Sequence, residues 1–167
     1  AGISALNVSV DSLDPARFAA ITGHDRLPEV LDGIAAARLA GIRTIQLNSG
    51  TLQFNGPHTI GGTGQFLQTS GQVTGGNLTL GPSLSTDISF GGHSGAATTA
   101  VQGATSITST GLRLDGGRIF RNEGTLTQNG NVDLNSRVVG TAEAGNGTVL
   151  NVNAATWNAA GGVIFAS

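Results

Sequence analysis

The chain has 167 residues, enough for one domain with a buried core, yet only 11% of them are charged and 4% are aromatic. Its formal net charge is −2, and it contains no cysteine. These values exclude recruitment of nucleic acid or anionic lipid by bulk positive charge. They also exclude disulfides, thiolate zinc sites and cysteine-held iron–sulfur clusters within this chain.

Neither a membrane span nor a targeting signal is recognisable. No apolar run approaches the roughly 20 residues of a membrane-spanning helix. No basic segment followed by an apolar segment opens the chain, as a signal peptide would. We therefore expect no membrane insertion, and we interpret the chain as a fragment or a mature segment.

The composition changes abruptly near residue 48. Residues 1–48 contain four of the 27 glycines and are rich in Ala, Leu, Ile and Arg, whereas residues 49–167 contain the other 23 and are rich in Thr, Asn and Ser. A change of this kind is typical of a boundary between structural units. We divide the chain into segments 1–48 and 49–167.

The first segment begins with a predicted strand and a short helix. Ala5–Val10 alternates apolar and polar residues, which favours a strand. Asp14 followed by Pro15 predicts a helix start, because a carboxylate can cap the first turn and proline lacks only an N–H that would have no partner there.

A second helix and a second strand follow. Pro28 is predicted to open this helix, whose apolar positions recur at helical spacing, and Gly41 to end it. Thr44–Leu47 is predicted to be the second strand. Two strands joined through helices form a βαβ-like unit, normally with parallel strands.

The second segment contains short β-prone runs separated by Gly, Asn and Ser, and it lacks a helical period. The predicted strands are Thr51–Phe54, Asn77–Leu80, Leu112–Leu114, Thr125–Thr127, Val132–Leu134 and Val149–Val152. The motif GTLT at position 124 resembles GTVL at position 147, and GTLQ at 50 resembles GNLT at 76. Such a period, in the low twenties, is the signature of a β-solenoid.

We therefore predict a mainly β fold, a parallel β-solenoid (β-helix) with an N-terminal βαβ-like or helical capping segment. An antiparallel sandwich or barrel is the alternative. The motif alignment predicts that Gly124 and Gly147 begin equivalent strands and that Leu126 stacks against Val149 inside the solenoid. It also predicts Asn and Thr ladders outside or at the corners.

The stretch from Gly2 to Asn48 resembles MoaA, the GTP 3′,8-cyclase family of radical SAM enzymes. The motifs NVSVDSLDP, ITGHDRL and IQLN occur in the family's order and spacing. This resemblance implies descent from one strand–helix–strand segment of a TIM-type barrel. It also implies that Ser9 matches a position that contacts S-adenosylmethionine and that Gln46 stands where a lysine usually binds GTP.

The resemblance does not imply the family's activity. That reaction needs a CxxxCxxC loop that holds a 4Fe–4S cluster, and this chain has no cysteine. At position 46 a neutral amide replaces an ammonium group, which removes the charge that would favour a triphosphate. We expect no catalytic residue, no cofactor and no metal in this segment.

Residues 49–167 resemble the Gly/Asn/Thr-rich repeats of bacterial autotransporter and filamentous-haemagglutinin-type surface proteins. The resemblance lies in LRLDGGRIFRNEGTLTQNGNVDLNSR and GNGTVLNVNAATWNAAGG. It implies an extracellular bacterial protein without enzymatic activity that forms a stalk or adhesive filament. Its expected partners are other copies, bound end to end, and a glycan or host surface, but not nucleic acid.

Two hypotheses relate the segments. In the first, the apolar face of helix 28–40 covers the open end of the solenoid, because terminal coils need a cap. In the second, recombination or engineering joined two unrelated pieces.

Some β-solenoids are polysaccharide lyases or hydrolases that use carboxylates and arginines on one face. The residues that could serve in this way here are Asp115, Arg118, Arg121, Glu123 and Asp133. We expect them to be solvated charges at the corners. A carbohydrate-active solenoid and a catalytically incomplete MoaA-related binder of nucleotide or S-adenosylmethionine are the alternative functions. The three histidines, His24, His58 and His93, have no metal-ligand spacing and are expected on the surface or in loops.

Overall fold

A computed structural model describes residues 12–39, 43–134, 146–152 and 154–165. Two helices precede a long succession of short strands, and every strand pair in these residues is parallel. The fold is the predicted mainly β solenoid. The antiparallel alternative is wrong, because each strand pairs with a strand one coil away rather than with its neighbour along the chain.

The first helix begins at the predicted Pro15, and the second begins one residue before the predicted Pro28. Helix α1 spans Pro15–Thr22, and the side chain of Asp14 accepts a hydrogen bond from the backbone N–H of Arg17. Its end is Gly23, which adopts a left-handed conformation with φ of 75°. Helix α2 spans Leu27–Leu39. The predicted strand Ala5–Val10 and the predicted helix end at Gly41 lie outside the described residues.

The strands of the described residues follow the helices, and each predicted run from Thr44 onward overlaps one of them. In chain order they are β1 (Thr44–Leu47), β2 (Thr51–Phe54), β3 (His58–Ile60), β4 (Gly64–Gln68), β5 (Gln72–Gly75), β6 (Leu78–Leu80), β7 (Leu84–His93), β8 (Thr98–Val101), β9 (Ala104–Leu114), β10 (Ile119–Asn122), β11 (Thr125–Gln128), β12 (Val132–Asp133), β13 (Thr148–Asn151), β14 (Thr156–Ala159) and β15 (Ile164–Phe165).

The strands stack into three faces. The first face contains β1, β4, the first parts of β7 and β9, then β11 and β14. The second face contains β3, β6, β8, β10 and β13. The third contains β2, β5, the last parts of β7 and β9, then β12 and β15. Strand β1 belongs both to the segment 1–48 and to this solenoid, because it pairs with β4 in register.

The coils are slightly shorter than the motif spacing suggests. Thr44 pairs with Gln65 in the next coil, and further along Thr86 pairs with Thr105. The last coil is clearly longer, since Val132 pairs with Ile164. Its extra length contains residues 135–145, which lie outside the described part of the chain.

The predicted stacking of Leu126 on Val149 is wrong. Leu126 pairs with Trp157 on the first face, whereas Val149 pairs with Phe120 on the second. Both residues are on inward positions of their strands, so the motifs GTLT and GTVL mark similar strand starts on two different faces. Strands on every face begin after a tight corner, and the same small and β-branched residues suit each of them.

The core consists of inward columns in which one residue per coil stacks on the next. On the first face the column runs through Ile45, Phe66, Thr86, Thr105, Leu126 and Trp157. Alternate residues point inward, as the pleat requires. Most buried apolar side chains form one cluster that extends from Phe54 to Val132, whereas Phe18 and Leu27 are buried outside it.

The N-terminal segment contacts the solenoid through α1 and the residues just before it. Asp14 accepts a hydrogen bond from Nδ2 of Asn55, at 3.2 Å, and Arg17 donates one to Oε1 of Gln53, at 2.8 Å. Leu13 packs against the apolar core. These contacts lie at β2, the first strand of the third face. The capping hypothesis concerns α2, and covering of the open end of the solenoid by α2 stays a prediction.

Neither helix of the described residues has the length and apolar character needed to cross a membrane.

Candidate functional site

A polar network occupies the interior of the solenoid, between the second and third faces. Arg118 is fully buried, and its Nη1 donates to the carbonyl oxygens of Gly75 and Gly76, at 3.0 and 3.2 Å. Its Nε and Nη2 lie 3.1 and 2.9 Å from the hydroxyl oxygen of Thr99. The guanidinium therefore joins successive coils, and each of its three nitrogens has an acceptor.

His93 extends this network toward the first face. Its Nδ1 lies 3.0 Å from the Thr99 hydroxyl, and its Nε2 lies 2.8 Å from Oε1 of Gln68. Gln68 in turn donates to the carbonyl oxygen of Gly71. His93, Thr99 and Gln68 all have no exposed surface. The network is closed to solvent, so we assign it a structural role in which it fixes the order and spacing of adjacent coils.

Burial dominates the electrostatics of this network. It lowers the pKa of His93 to about 3, with a smaller contribution from the positive charge of Arg118. Burial also lowers the pKa of Arg118 to about 10. At neutral pH the imidazole is therefore uncharged and the guanidinium charged.

The expectation that His93 lies on the surface or in a loop is wrong. It follows Val73 and precedes Leu114 in an inward column of the third face, so the pleat directs the imidazole into the core. His24 and His58 are exposed, as predicted. His58 has its Nδ1 2.9 Å from the carbonyl oxygen of Pro57.

The charged residues suggested for polysaccharide cleavage do not share one face. Asp115 and Arg118 are fully buried, so the expectation of solvated corner charges is wrong for these two. Arg121 and Glu123 form an ion pair of 2.9 Å. Asp133 pairs in register with Arg113 on the third face and does not stack on Asp115. Asp115 precedes a tight turn, where its carboxylate accepts the N–H of Gly116.

Of the two positions implied by the MoaA resemblance, only Gln46 lies within the described residues. Gln46 is exposed on the outward side of β1, where it pairs in register with Leu67. Ser9 lies outside the described residues.

An open groove of about 360 Å³ runs along the outside of the corner between the first and third faces. We call it the corner groove, and its lining is formed by Ser49, Gly50, Thr51, Ser70, Gly71, Gln72, Phe90, Gly91, Gly92 and Arg113. The Arg113 guanidinium carbon lies 4.9 Å from the centroid of the Phe90 ring, over its face. Sequence reasoning missed this pair, because its members belong to different strands and only the coil period brings them together.

The solenoid ends, within the described residues, in a coil formed by β13, β14 and β15, which we call the terminal rung. Its inward residues cap three columns: Val149 on Phe120, Trp157 on Leu126 and Ile164 on Val132. Ile164 is 44% exposed, whereas Val132 beneath it is fully buried. Within the described residues, the inward side chain of Ile164 is therefore partly accessible at the terminal rung.

Comparison with known proteins finds GTP 3′,8-cyclases. The chain is 50% identical to that of Aeromonas hydrophila over 60 residues, 36% of this chain and 18% of the enzyme. It is 57% identical to the GTP 3′,8-cyclase of Stenotrophomonas maltophilia over 49 residues, which are 29% of this chain and 15% of the enzyme. It is 62% identical to GTP 3′,8-cyclase 2 of Pseudomonas aeruginosa over 48 residues, which are 29% of this chain and 14% of the enzyme.

The chain therefore spans less than a fifth of the length of these relatives. Neither a protein-family model nor a solved structure matches it. A short segment of the chain is thus similar to MoaA, as the motifs indicate, while the β-solenoid is the architecture expected of repeat-type surface proteins.

Proposed function

We propose that this chain is a non-enzymatic structural or adhesive segment of an extracellular bacterial surface or fibre protein. The observation that supports the proposal is the set of parallel ladders on three faces. Such ladders join distant residues through a stiff backbone, which suits a stalk. The polar network of Arg118, His93 and Thr99 is closed to solvent, which suits a scaffold better than a reactive centre.

The partner we propose is a second copy of the chain, bound end to end at the terminal rung. Unpaired strand edges bind further strands readily. The exposed inward side chain of Ile164, beside the half-buried Trp157, would gain apolar burial from a stacked copy.

Sedimentation velocity and electron microscopy of the full chain test this proposal. We expect concentration-dependent oligomers or filaments from the wild type. Ile164→Lys should reduce them, because it places a charge between stacked coils. Ile21→Lys is the matched control, since Ile21 is a 53% exposed isoleucine on α1. A wild type that stays monomeric at all concentrations contradicts the self-association.

A MoaA-related nucleotide or S-adenosylmethionine binder is a second candidate, favoured by the 46–62% identity of short segments to GTP 3′,8-cyclases. Calorimetric titration with GTP and with S-adenosylmethionine separates the two. The structural proposal expects no heat of binding from either. Gln46→Lys restores the residue that the family resemblance implies, and GTP binding gained only by this variant would identify a degenerate site.

A further inference from the structure

Among the residues that the structure describes, Arg113 is the one charged residue that lines the corner groove, and its charge is positive. Its other lining groups are the hydroxyls of Ser49, Ser70 and Thr51, the amide of Gln72, the Phe90 ring and glycine backbone. Asp133 lies one coil beyond Arg113, on the side away from Gly92, and has contacts of its own. The local field in the groove therefore favours a negatively charged ligand.

Register explains why Arg113 faces this groove. On the outward side of the third face, Thr51 is followed by Gln72, Gly92 and Arg113 in successive coils. Gly92 has no side chain, so space opens between Gln72 and Arg113. The guanidinium stacks over Phe90 beside this space. Stacking restricts the long arginine side chain, which lowers the entropy that a ligand must remove on binding.

A second groove on the outside of the first face provides a contrast. It has a volume of about 380 Å³ and hydroxyl groups from serine and threonine, but its lining includes the carboxylate of Asp87. Thr108 donates a hydrogen bond to this carboxylate. An anionic ligand would be repelled there, so the two grooves differ in the sign of their charge.

We propose that the corner groove binds acidic saccharide chains, with Arg113 as the residue that recognises their anionic group. A guanidinium pairs with a carboxylate or sulfate through two parallel hydrogen bonds. Hydroxyl and amide groups on successive coils, spaced by about 4.8 Å, can exchange hydrogen bonds with the hydroxyls of an extended polymer. This inference rests on the adhesive role proposed above and names its ligand class.

The test measures binding of the full chain to three immobilised polymers. Polygalacturonate supplies carboxylates, dextran sulfate supplies sulfates, and dextran is neutral. We expect the wild type to bind at least one anionic polymer at an ionic strength of ~0.15 M and to bind dextran much more weakly. The better of the two anionic polymers identifies the recognised group.

Arg113→Gln should weaken binding by about tenfold or more. Gln72→Glu, which adds a carboxylate to the groove and removes no contact of Arg113, should weaken it too, and it keeps the test valid if Arg113→Gln unfolds. Arg121→Gln is the control, because Arg121 is an exposed arginine already paired with Glu123 on another face.

The inference is overturned if the wild type binds neither anionic polymer. It is also overturned if the wild type binds dextran as tightly as the anionic polymers. An equal loss in Arg121→Gln also overturns it, because it would show that overall charge and not this groove attracts the polymer. Self-association through Ile164 is measured separately, so failure here leaves the structural role standing.

Discussion

Arg118 directs Nε and Nη2 onto the single hydroxyl oxygen of Thr99, at 3.1 and 2.9 Å, and both side chains are fully buried. Thr105, on the first face, is also buried, but its hydroxyl oxygen has no hydrogen-bond partner within the described part of the chain. The two threonines are therefore the same chemical group in opposite situations. The Thr99 hydroxyl accepts hydrogen bonds from a buried guanidinium, whereas the Thr105 hydroxyl is buried without a partner among the described residues.

Thr99→Val should lower the free energy of unfolding by about 2 kcal/mol, because it leaves buried N–H groups of a charged guanidinium without an acceptor. Valine has nearly the shape of threonine, so little packing is lost. Urea denaturation of the variant and the wild type measures the difference.

Thr105→Val is the matched control and should be neutral or stabilising by up to about 1 kcal/mol, since it removes a hydroxyl that is buried without a partner. Equal destabilisation by both changes would contradict the assignment of Thr99 as the acceptor for Arg118.

The buried His93 should make the solenoid less stable in acid. Its pKa is about 3 in the folded protein, whereas an unfolded histidine has a pKa near 6.5. Between these values the unfolded state binds a proton that the folded state does not, so stability rises with pH. The contribution of the uncharged His93 to the free energy of unfolding is fully present above pH 6.5. It is lost at about 1.4 kcal/mol per pH unit as the pH falls toward 3.

Urea denaturation at several pH values from neutral to mildly acid measures this slope. His93→Gln should flatten it, because the amide keeps hydrogen-bonding groups but does not titrate. His58→Gln removes an exposed imidazole and controls for a change in histidine content. A slope that His93→Gln leaves unchanged would show that other groups cause the acid sensitivity.

The fold class could be predicted because it depends on local patterns that repeat. Short β-branched runs between glycines indicated stacked coils, and Asp14 with Pro15 indicated the start of α1. The register could not be predicted in the same way. GTLT and GTVL look equivalent, but a strand start is chemically similar on every face, so the motif at Gly147 aligned with the wrong face.

The buried polar network was harder to predict, because polar side chains are usually exposed and most of its members carry no local signal of an inward position. Alternation offered one signal: Gln68 follows the apolar Phe66 at the next position on the same side of β4, and so shares its inward direction. Arg118 offered none, since its acceptors at Gly75 and Gly76 are far from it along the chain.

Gly111, at a corner of the solenoid, and Gly33, within α2, should tolerate substitution very unequally. Gly111 has a φ of 79°, and a Cβ there would overlap the carbonyl oxygen of Asn131 in the next coil. Gly111→Ala should therefore lower the free energy of unfolding by about 2 kcal/mol or more, through backbone strain and the clash.

Gly33, within α2, is the matched control, because a Cβ there would meet nothing within 4 Å. Gly33→Ala should raise stability by about 0.5–1 kcal/mol, since alanine restricts the unfolded chain and favours a helix. Thermal denaturation of both variants measures the contrast. Destabilisation by Gly33→Ala as large as that by Gly111→Ala would contradict the assignment of the Gly111 effect to its strained backbone and the clash.

Asp14 connects helix formation to the solenoid edge, because one carboxylate oxygen caps α1 and the other accepts from Asn55. Asp14→Ala should lower stability by about 1 kcal/mol, the usual effect of losing a helix cap. If α1 covers the edge of the third face, the same change should also speed hydrogen exchange at the backbone amides of β2. Asp25→Ala, an exposed change between the helices, should do neither. Faster exchange confined to α1 would mean that α1 lies on the solenoid without protecting β2, and covering of this edge by α1 would then be rejected.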